Sequence, residues 1–309
     1  MQETIGKITL DYTYYPGEDL YSDGPVEEEL LEIAKKCRSN QDYNKVIAEK
    51  KSWPVMYHFS HIRHNIVSWL PITGRDKVLE VGSGCGAITG ALAGKAGSVT
   101  CIDLSKKRSL INAYRNQDFD NVTIRLGKFE EVEQHLDEKF DYITLIGVFE
   151  YAACYTENPQ PFHYMLKAME RHLSPGGKIV IAIENRLGLK YWAGCAEDHV
   201  GRYFEGLEGY PNSSGVRTFS KKELQTLFDE AGDFKATFYY PYPDYKFPFS
   251  IYSDRYLPRK GDLKENLCNF DRRRLGLFDE AKVFDTLIDN DLFPEFSNSF
   301  LVLVERRSL

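Results

Sequence analysis

The sequence predicts an α/β fold in which a mostly parallel sheet is covered by helices on both faces. Two observations carry that expectation. From residue 76 onward, short β-rich runs alternate with helix-like stretches, the pattern of successive βαβ units. The first of those runs also leads into a glycine-rich turn, VLEVGSGCGAITG, of the kind that joins a strand to a ligand-binding helix.

The elements follow in order. VEEELLEIAKKC (26–37) has its acids early and its lysines late, matching a helix dipole. WPVMYHFSHIRHNIVSWL (53–70) reads as a second helix, with Pro54 tolerated in its first turn. DKVLEV, SVTCID, NVTIRLG, FDYITLIG and GKIVIAIE are the first five strands, with AITGALAGKA, KKRSLINAYRNQ, FEEVEQHL and FHYMLKAMERHL as the helices between them. SPGG (174–177) is the turn before the fifth strand. FSKKELQTLFDEAG is a helix with Ser220 as N-cap, Glu223 at the capping-box position and Gly232 ending it. FKATFYYPYP is a sixth strand, residues 260–293 form a mixed, largely helical insertion, and NSFLVLVERR (298–307) is the last strand. The expected organisation is an N-terminal helical extension or cap over residues 1–70 and a main domain over 71–309. Acceptor-side insertions are expected at 184–218 and 241–297.

Composition narrows the function classes. A formal charge of −7 argues against nucleic acid, whose binders carry a basic footprint. MQETIGKITLDYTYYPGEDL lacks the charged and apolar regions of a secretory signal, and no apolar run approaches the length of a membrane span. Six scattered cysteines without a CxxC pair suit reduced thiols, so the cytoplasm is the expected compartment and no metal site is expected from cysteine spacing. Residues 1–50 and 260–297 are left to complete an acceptor pocket or a homodimer contact.

In an open α/β sheet, ligands bind beyond the C-terminal strand ends. Gly82, Gly84 and Gly86 permit close backbone approach there. Asp103, at the end of the second strand and about 20 residues on, can accept both hydroxyls of an adenosine ribose. A tight structural turn, an NAD site and an S-adenosylmethionine (SAM) site all fit this pair. Glu80 discriminates: beside a pyrophosphate a carboxylate repels, whereas it suits a cofactor with a cationic amino group and sulfonium. The strand–insertion–strand ending also differs from the second half of a dinucleotide domain.

VLEVGSGCG, CIDLS, FDYITLIGVFEY, LSPGGKIVIAIEN and the terminal SFLVLVE resemble, in order and spacing, the Rossmann-like class I SAM-dependent methyltransferases. The resemblance implies a seven-stranded sheet of order 3-2-1-4-5-7-6 with the last strand antiparallel. It implies that Glu80 and the loop Gly82, Ser83, Gly84 and Gly86 hold the methionine end of SAM, with Asp103 and Leu104 at the ribose. Gly127, Lys128 and Phe129 would flank adenine, and Gly147 and Val148 would line the methyl donor. Many such enzymes place an Asp after the third strand to meet the adenine amino group. GKFEEV has none, so the backbone of Lys128 and Phe129, or Glu130, takes that place.

Methyl transfer requires the acceptor atom, methyl carbon and sulfur to be held nearly in line, and a hydroxyl acceptor must also lose a proton to a base or a metal. His58, His61 and His64 recur three apart on the predicted helix. They form a polar face, a poorly convergent metal set, or a cap in which Tyr57 or His58 closes the cofactor cleft and Arg63 meets the methionine carboxylate. The segment IENRLGLKYWAGCAEDHVGRYFEGLEGY (183–210) is the other candidate. It is either a solvated loop or the acceptor wall, and its position after the fifth strand and its density of Tyr191, Trp192, Tyr203, Phe204 and Tyr210 favour the wall. Asp198 or His199 is the first candidate for base or acceptor anchor, and His58 the second. Asn185, Arg186 and Arg202 offer hydrogen bonds. FYYPYPDYKFPFSIYSDRYLP (238–258) repeats this chemistry with Tyr240 and Tyr245, unless it is simply a connection packed on the sheet.

The stretches 56–71, 183–210, 216–224 and 238–248 also resemble a narrower group of bacterial methyltransferases associated with surface-polysaccharide and other glycan pathways. The resemblance implies O-methylation of a glycan or sugar-bearing acceptor. A peptide or secondary-metabolite methyltransferase, and a non-catalytic SAM-binding scaffold of a glycan-assembly complex, are the alternatives.

Overall fold

The structure, a computed structural model, describes residues 1–264 and 274–307; part of the expected 260–293 insertion, with Cys268, lies outside the described residues. The chain divides into two compact units, Met1–Leu145 with Arg171–Lys178, and Ile146–Glu170 with Ile179–Leu309.

In the first unit, strands β1 (Gln2–Ile5) and β2 (Ile8–Asp11) form a hairpin. β3 (Lys77–Val81), β4 (Ser98–Asp103), β5 (Val122–Leu126) and β6 (Phe140–Ile146) follow. β3 pairs in parallel with both β4 and β6, β4 pairs in parallel with β5, and β2 extends that edge in parallel with β5. Residues 1–70, expected as a helical extension or cap, therefore supply two strands in addition to helices. Ile5, Ile8 and Leu10 are buried, and Gly6 takes φ +58 in the two-residue turn between the strands.

The helix expected over 53–70 is broken. Trp53–Phe59 is helical, Ser60 leaves the helix at ψ 129, and its hydroxyl accepts from Ile62 N–H at 3.3 Å to start a 3₁₀ turn, His61–His64. Helices Val26–Lys36, Asn40–Lys50 and Trp53–Phe59 share one core, in which Leu30, Ile33, Tyr43, Val55 and Phe59 pack with Ile111 and with Cys85 of the glycine loop. The N-terminal helices thus brace the loop that the sequence marks as a cofactor site.

The second unit contains the C-terminal half of β7 (Leu173–Glu184) and all of β8 (Phe234–Tyr242), β9 (Ser250–Ser253) and β10 (Ser299–Arg306). β8 pairs antiparallel with β10 on one side and with β9 on the other. The SPGG stretch, expected as a turn, is drawn into the start of β7. Helix Lys221–Ala231 carries the expected capping box, with Ser220 and Glu223 each satisfying the other's backbone N–H. The stretch expected as an insertion over 241–297 supplies β9 and helix Glu280–Asp289. No helix among the described residues is long and apolar enough to cross a membrane.

Candidate active site

β3 delivers Glu80 to the base of the glycine loop, fully enclosed. Thr89 Oγ1 donates to Glu80 Oε2 at 2.7 Å, Cys101 Sγ lies 3.4 Å from the same oxygen, and Asn112 Nδ2 donates to Thr89 Oγ1 at 3.1 Å. Burial outweighs these bonds and pushes the Glu80 carboxyl up to about 7. A cation placed beside it would restore its charge.

Gly84 and Gly86 sit at φ +51 and +73. A Cβ on Gly84 would stand 2.8 Å from Arg108 Nη2, and one on Gly86 would stand 2.3 Å from Asn112 Oδ1. The positive φ strains any other residue at both positions, and at Gly86 the packed amides of Asn112 and Asn116 leave no room for one. Asp103, at the end of β4, accepts from Gly84 N–H at 2.6 Å and from Ser105 N–H at 3.0 Å, one bond on each carboxylate oxygen. Each oxygen keeps a further lone pair for a hydroxyl. Burial raises the Asp103 pKa against those bonds and the Arg108 charge. Ser83 is buried within the loop and Leu104 is half-buried beside Asp103. Gly127 N–H donates to the Asp103 carbonyl at 2.9 Å, bringing half-buried Lys128 and Phe129 to the same strand end.

The 53–64 segment is built into this unit. Arg63 is buried, stacks its guanidinium 4.0 Å from the centre of the Tyr57 ring, and leaves Nη1 without a hydrogen-bond partner. Its neighbour His64 is bonded to the backbone of Ala87, just past the glycine loop. Nη1 is thus an unused buried donor suited to a carboxylate, and with Glu80, Asp103 and the glycine cradle it fits SAM. His58 Nε2 lies 3.3 Å from Asp23 Oδ2, which Arg108 Nη1 also meets at 3.2 Å. Burial pulls the His58 pKa down to about 4. The three histidines do not converge: His58 is buried on Asp23, while exposed His61 bonds Asn44 Oδ1 at 3.2 Å.

In the second unit, the loops after β6 and β7 build a buried charged cluster. Asp198 is held by Lys190 Nζ at 2.8 Å, Lys246 Nζ at 2.5 Å and the Tyr191 hydroxyl at 2.5 Å. Burial alone would raise its pKa, but Lys190 and Lys246 hold it well below the carboxylate range. An oxygen so held has little affinity for a proton, so of the two roles expected for Asp198, base or acceptor anchor, this environment disfavours the base. His199 is fixed through Nδ1, 3.0 Å from Glu197 Oε1, and Glu197 Oε2 accepts from the N–H groups of His199 and Val200. Nε2 faces Glu150 Oε1 at 3.4 Å and Glu184 Oε2 at 3.8 Å. Burial lowers the imidazole pKa, but Glu184, Glu150 and Glu197 together hold it well above its ordinary range.

Several predicted acceptor residues serve the scaffold instead. Asn185 is buried and donates to the carbonyls of Glu295 and Ser297 at 2.8 and 2.7 Å, because its loop must be tied to the chain entering β10. Tyr240 is buried on β8, with its hydroxyl between Lys221 and Asp254. Arg186 pairs with Glu223 at 2.7 Å. Tyr191 is buried on Asp198. Tyr245 donates to Glu184 Oε1 at 3.2 Å, and its hydroxyl would lie 2.7 Å from a Cβ on Gly147. Gly147 and half-buried Val148 therefore share this cluster's neighbourhood. Trp192, Tyr203 and Arg202 are exposed.

Glu150, Glu184, Lys190 and Lys246 were missed. Glu150 and Glu184 are single carboxylates closing the apolar strand runs FDYITLIGVFE and KIVIAIE, the same signal that identified Glu80 and Asp103. The two lysines carry no such signal, since only the fold brings them to Asp198.

Residues 72–232 match the family described as "Methyltransferase domain". An uncharacterized methyltransferase of Staphylococcus carnosus is 25% identical over 206 residues, covering 66% of this chain and 89% of its own. The demethylmenaquinone methyltransferase of Tropheryma whipplei is 32% identical over 122 residues, covering 40% of this chain and 47% of its own. Among solved structures, a SAM-dependent methyltransferase of Thermotoga maritima aligns at a TM-score of 0.46 and 15% identity, covering 90% of this chain and all of its own.

Proposed function

The chain belongs to the methyltransferase-domain family and is a SAM-dependent enzyme, and on that premise we propose that it methylates a hydroxyl of a glycan or other sugar-bearing acceptor. Bound SAM supplies an electrophilic methyl group on a sulfonium. Glu80 and the glycine loop would hold its cationic end, Arg63 its carboxylate and Asp103 its ribose. The same reading takes the sheet's centre as the order 3-2-1-4-5-7-6, supported by the parallel run β5-β4-β3-β6 and the antiparallel pair β10-β8.

The observation that carries the acceptor reading is Glu150. It is wholly buried, and neither carboxylate oxygen accepts a hydrogen bond. An acceptor rich in hydroxyls supplies the donors those oxygens lack, whereas an apolar one leaves them orphaned at a cost of about 1–3 kcal/mol or more. Exposed Trp192 and Tyr203 offer ring faces to a sugar.

Incubation with methyl-labelled SAM and a panel of nucleotide sugars, oligosaccharides, peptides and phenols tests this reading. Label on a sugar oxygen, reduced at least tenfold by Glu150→Gln, is the expected result. Label only on a quinone precursor would instead favour the chemistry named for the Tropheryma whipplei relative. Label only on peptide would also overturn the glycan reading.

A further inference from the structure

We propose that Glu150, Glu184 and His199 form a binding site for a divalent cation of the Mn²⁺ or Zn²⁺ type. Each offers one ligand atom, and these atoms all lie within 4.8 Å of one another. Donors on one such ion, each roughly 2 Å from it, stand about 3–4 Å apart, so small side-chain rotations close the set. No ion is needed to explain the fold here; what calls for one is the unsatisfied chemistry.

Three features point to a cation. Both oxygens of Glu150 and Oε2 of Glu184 are buried without a hydrogen-bond partner, although both side chains are fully enclosed. Buried carboxylate oxygens in that condition are costly unless a proton donor or metal meets them. The remaining oxygen, Glu184 Oε1, is already satisfied by Lys246 Nζ at 2.7 Å and the Tyr245 hydroxyl at 3.2 Å, which aim Oε2 at the centre of the triad.

The imidazole is also set as a ligand. Glu197 accepts the N–H groups of His199 and Val200 on Oε2, and His199 Nδ1 donates to Oε1. Nε2, whose proton a bound cation would displace, is then the ring atom facing Glu150 and Glu184. A carboxylate behind a ring nitrogen is the arrangement that orients metal-bound histidines.

Charge completes the case. Glu150, Glu184, Glu197 and Asp198 share the enclosure with Lys190 and Lys246, leaving two negative charges before His199 is considered. Partly exposed Asp244, 3.8 Å from Lys190, adds to that excess. A dication bound to neutral His199 balances the four enclosed carboxylates. Two oxygens and one nitrogen are a mixed donor set that suits Mn²⁺ or Zn²⁺ better than a thiolate-seeking metal. Open coordination positions would receive hydroxyl oxygens, and an ion there lowers the pKa of a bound hydroxyl. That last role rests on the O-methylation reading above; cation binding does not.

The test is titration of the full chain with MnCl₂, without SAM or acceptor, followed by electron paramagnetic resonance. One bound Mn²⁺ per chain is expected, with nitrogen coupling that moves on ¹⁵N labelling of histidine. Glu150→Gln and Glu184→Gln should each weaken binding at least about tenfold, and Glu197→Gln about 10–100-fold through loss of the orienting carboxylate. SAM affinity, measured by calorimetry on the same variants, reports folding and should not change. Absence of bound Mn²⁺ at millimolar concentration, or binding indifferent to both glutamine variants, overturns the site. Manganese failure with SAM binding intact removes the cation and leaves the methyltransferase reading standing.

Discussion

The backbone N–H of Gly84 donates to Asp103 Oδ2 across 2.6 Å, joining the loop after β3 to the end of β4. The carboxylate assigned to the ribose is therefore also the group that holds the glycine loop in shape. Asp103→Ala removes both functions at once. SAM binding by calorimetry should weaken by about 10²-fold or more, consistent with loss of charge-assisted bonds of about 1.5–3 kcal/mol each. Binding of NAD in place of SAM would overturn the cofactor-site assignment.

Glu80 makes affinity and stability depend on pH in opposite ways. Its carboxyl is raised from 4.5 to about 7 by burial, so between those values the folded state holds a proton that the unfolded state has lost. Its contribution to stability is therefore lost as pH rises from about 4.5 through about 7. Glu80→Gln should be more stable than the parent at pH 8, by about 3 kcal/mol at most, in a urea titration. The same variant should bind SAM at least tenfold more weakly. In the parent protein, SAM affinity should fall as pH drops below about 7, by up to about tenfold at pH 6.

Gly86→Ala tests the cradle from its other side. At φ +73, with Asn112 Oδ1 2.3 Å from the added Cβ, the variant must strain its backbone and displace the amide that supports Thr89. A loss of about 1–3 kcal/mol in denaturant unfolding is expected, together with weaker SAM binding. Parent-like values for both would show that the loop is less confined than its geometry indicates.

Asp198→Asn keeps the shape of the side chain at the centre of the buried charged cluster and removes its charge. Lys246 keeps Glu184 at 2.7 Å, but Lys190 would be buried against an amide with Asp244 no nearer than 3.8 Å, and the cost expected for an undercompensated buried charge is up to about 3–5 kcal/mol. Thermal unfolding checks the loss. A variant as stable as the parent would mean that the lysines find other partners.

Much of the geometry around the glycine loop was legible. Glycines at a strand end, a carboxylate within the strand and another about 20 residues on are local features, and a βαβ unit brings them together by its own geometry. The hairpin at residues 2–11 was missed because its strands are short and read as a polar N-terminus until Ile5, Ile8 and Leu10 are seen to be buried. The break at Ser60 was missed because the apolar period continues through it, and a serine cap competes with the helix only weakly.

In the second unit, the sequence by itself placed a chemically rich segment after the fifth strand and named Asp198 and His199. It could not rank them, because their roles depend on neighbours from 8 residues away, Lys190 beside Asp198, to 49 residues away, Glu150 beside His199. Tertiary structure decided that Lys190 and Lys246 neutralise Asp198, that Asn185 and Tyr240 bind the scaffold, and that Glu150 and Glu184 stand beside His199. Pattern and spacing report which residues leave a strand end. The proton affinity and availability of those residues are set by burial and by charges that only folding brings within a few ångströms.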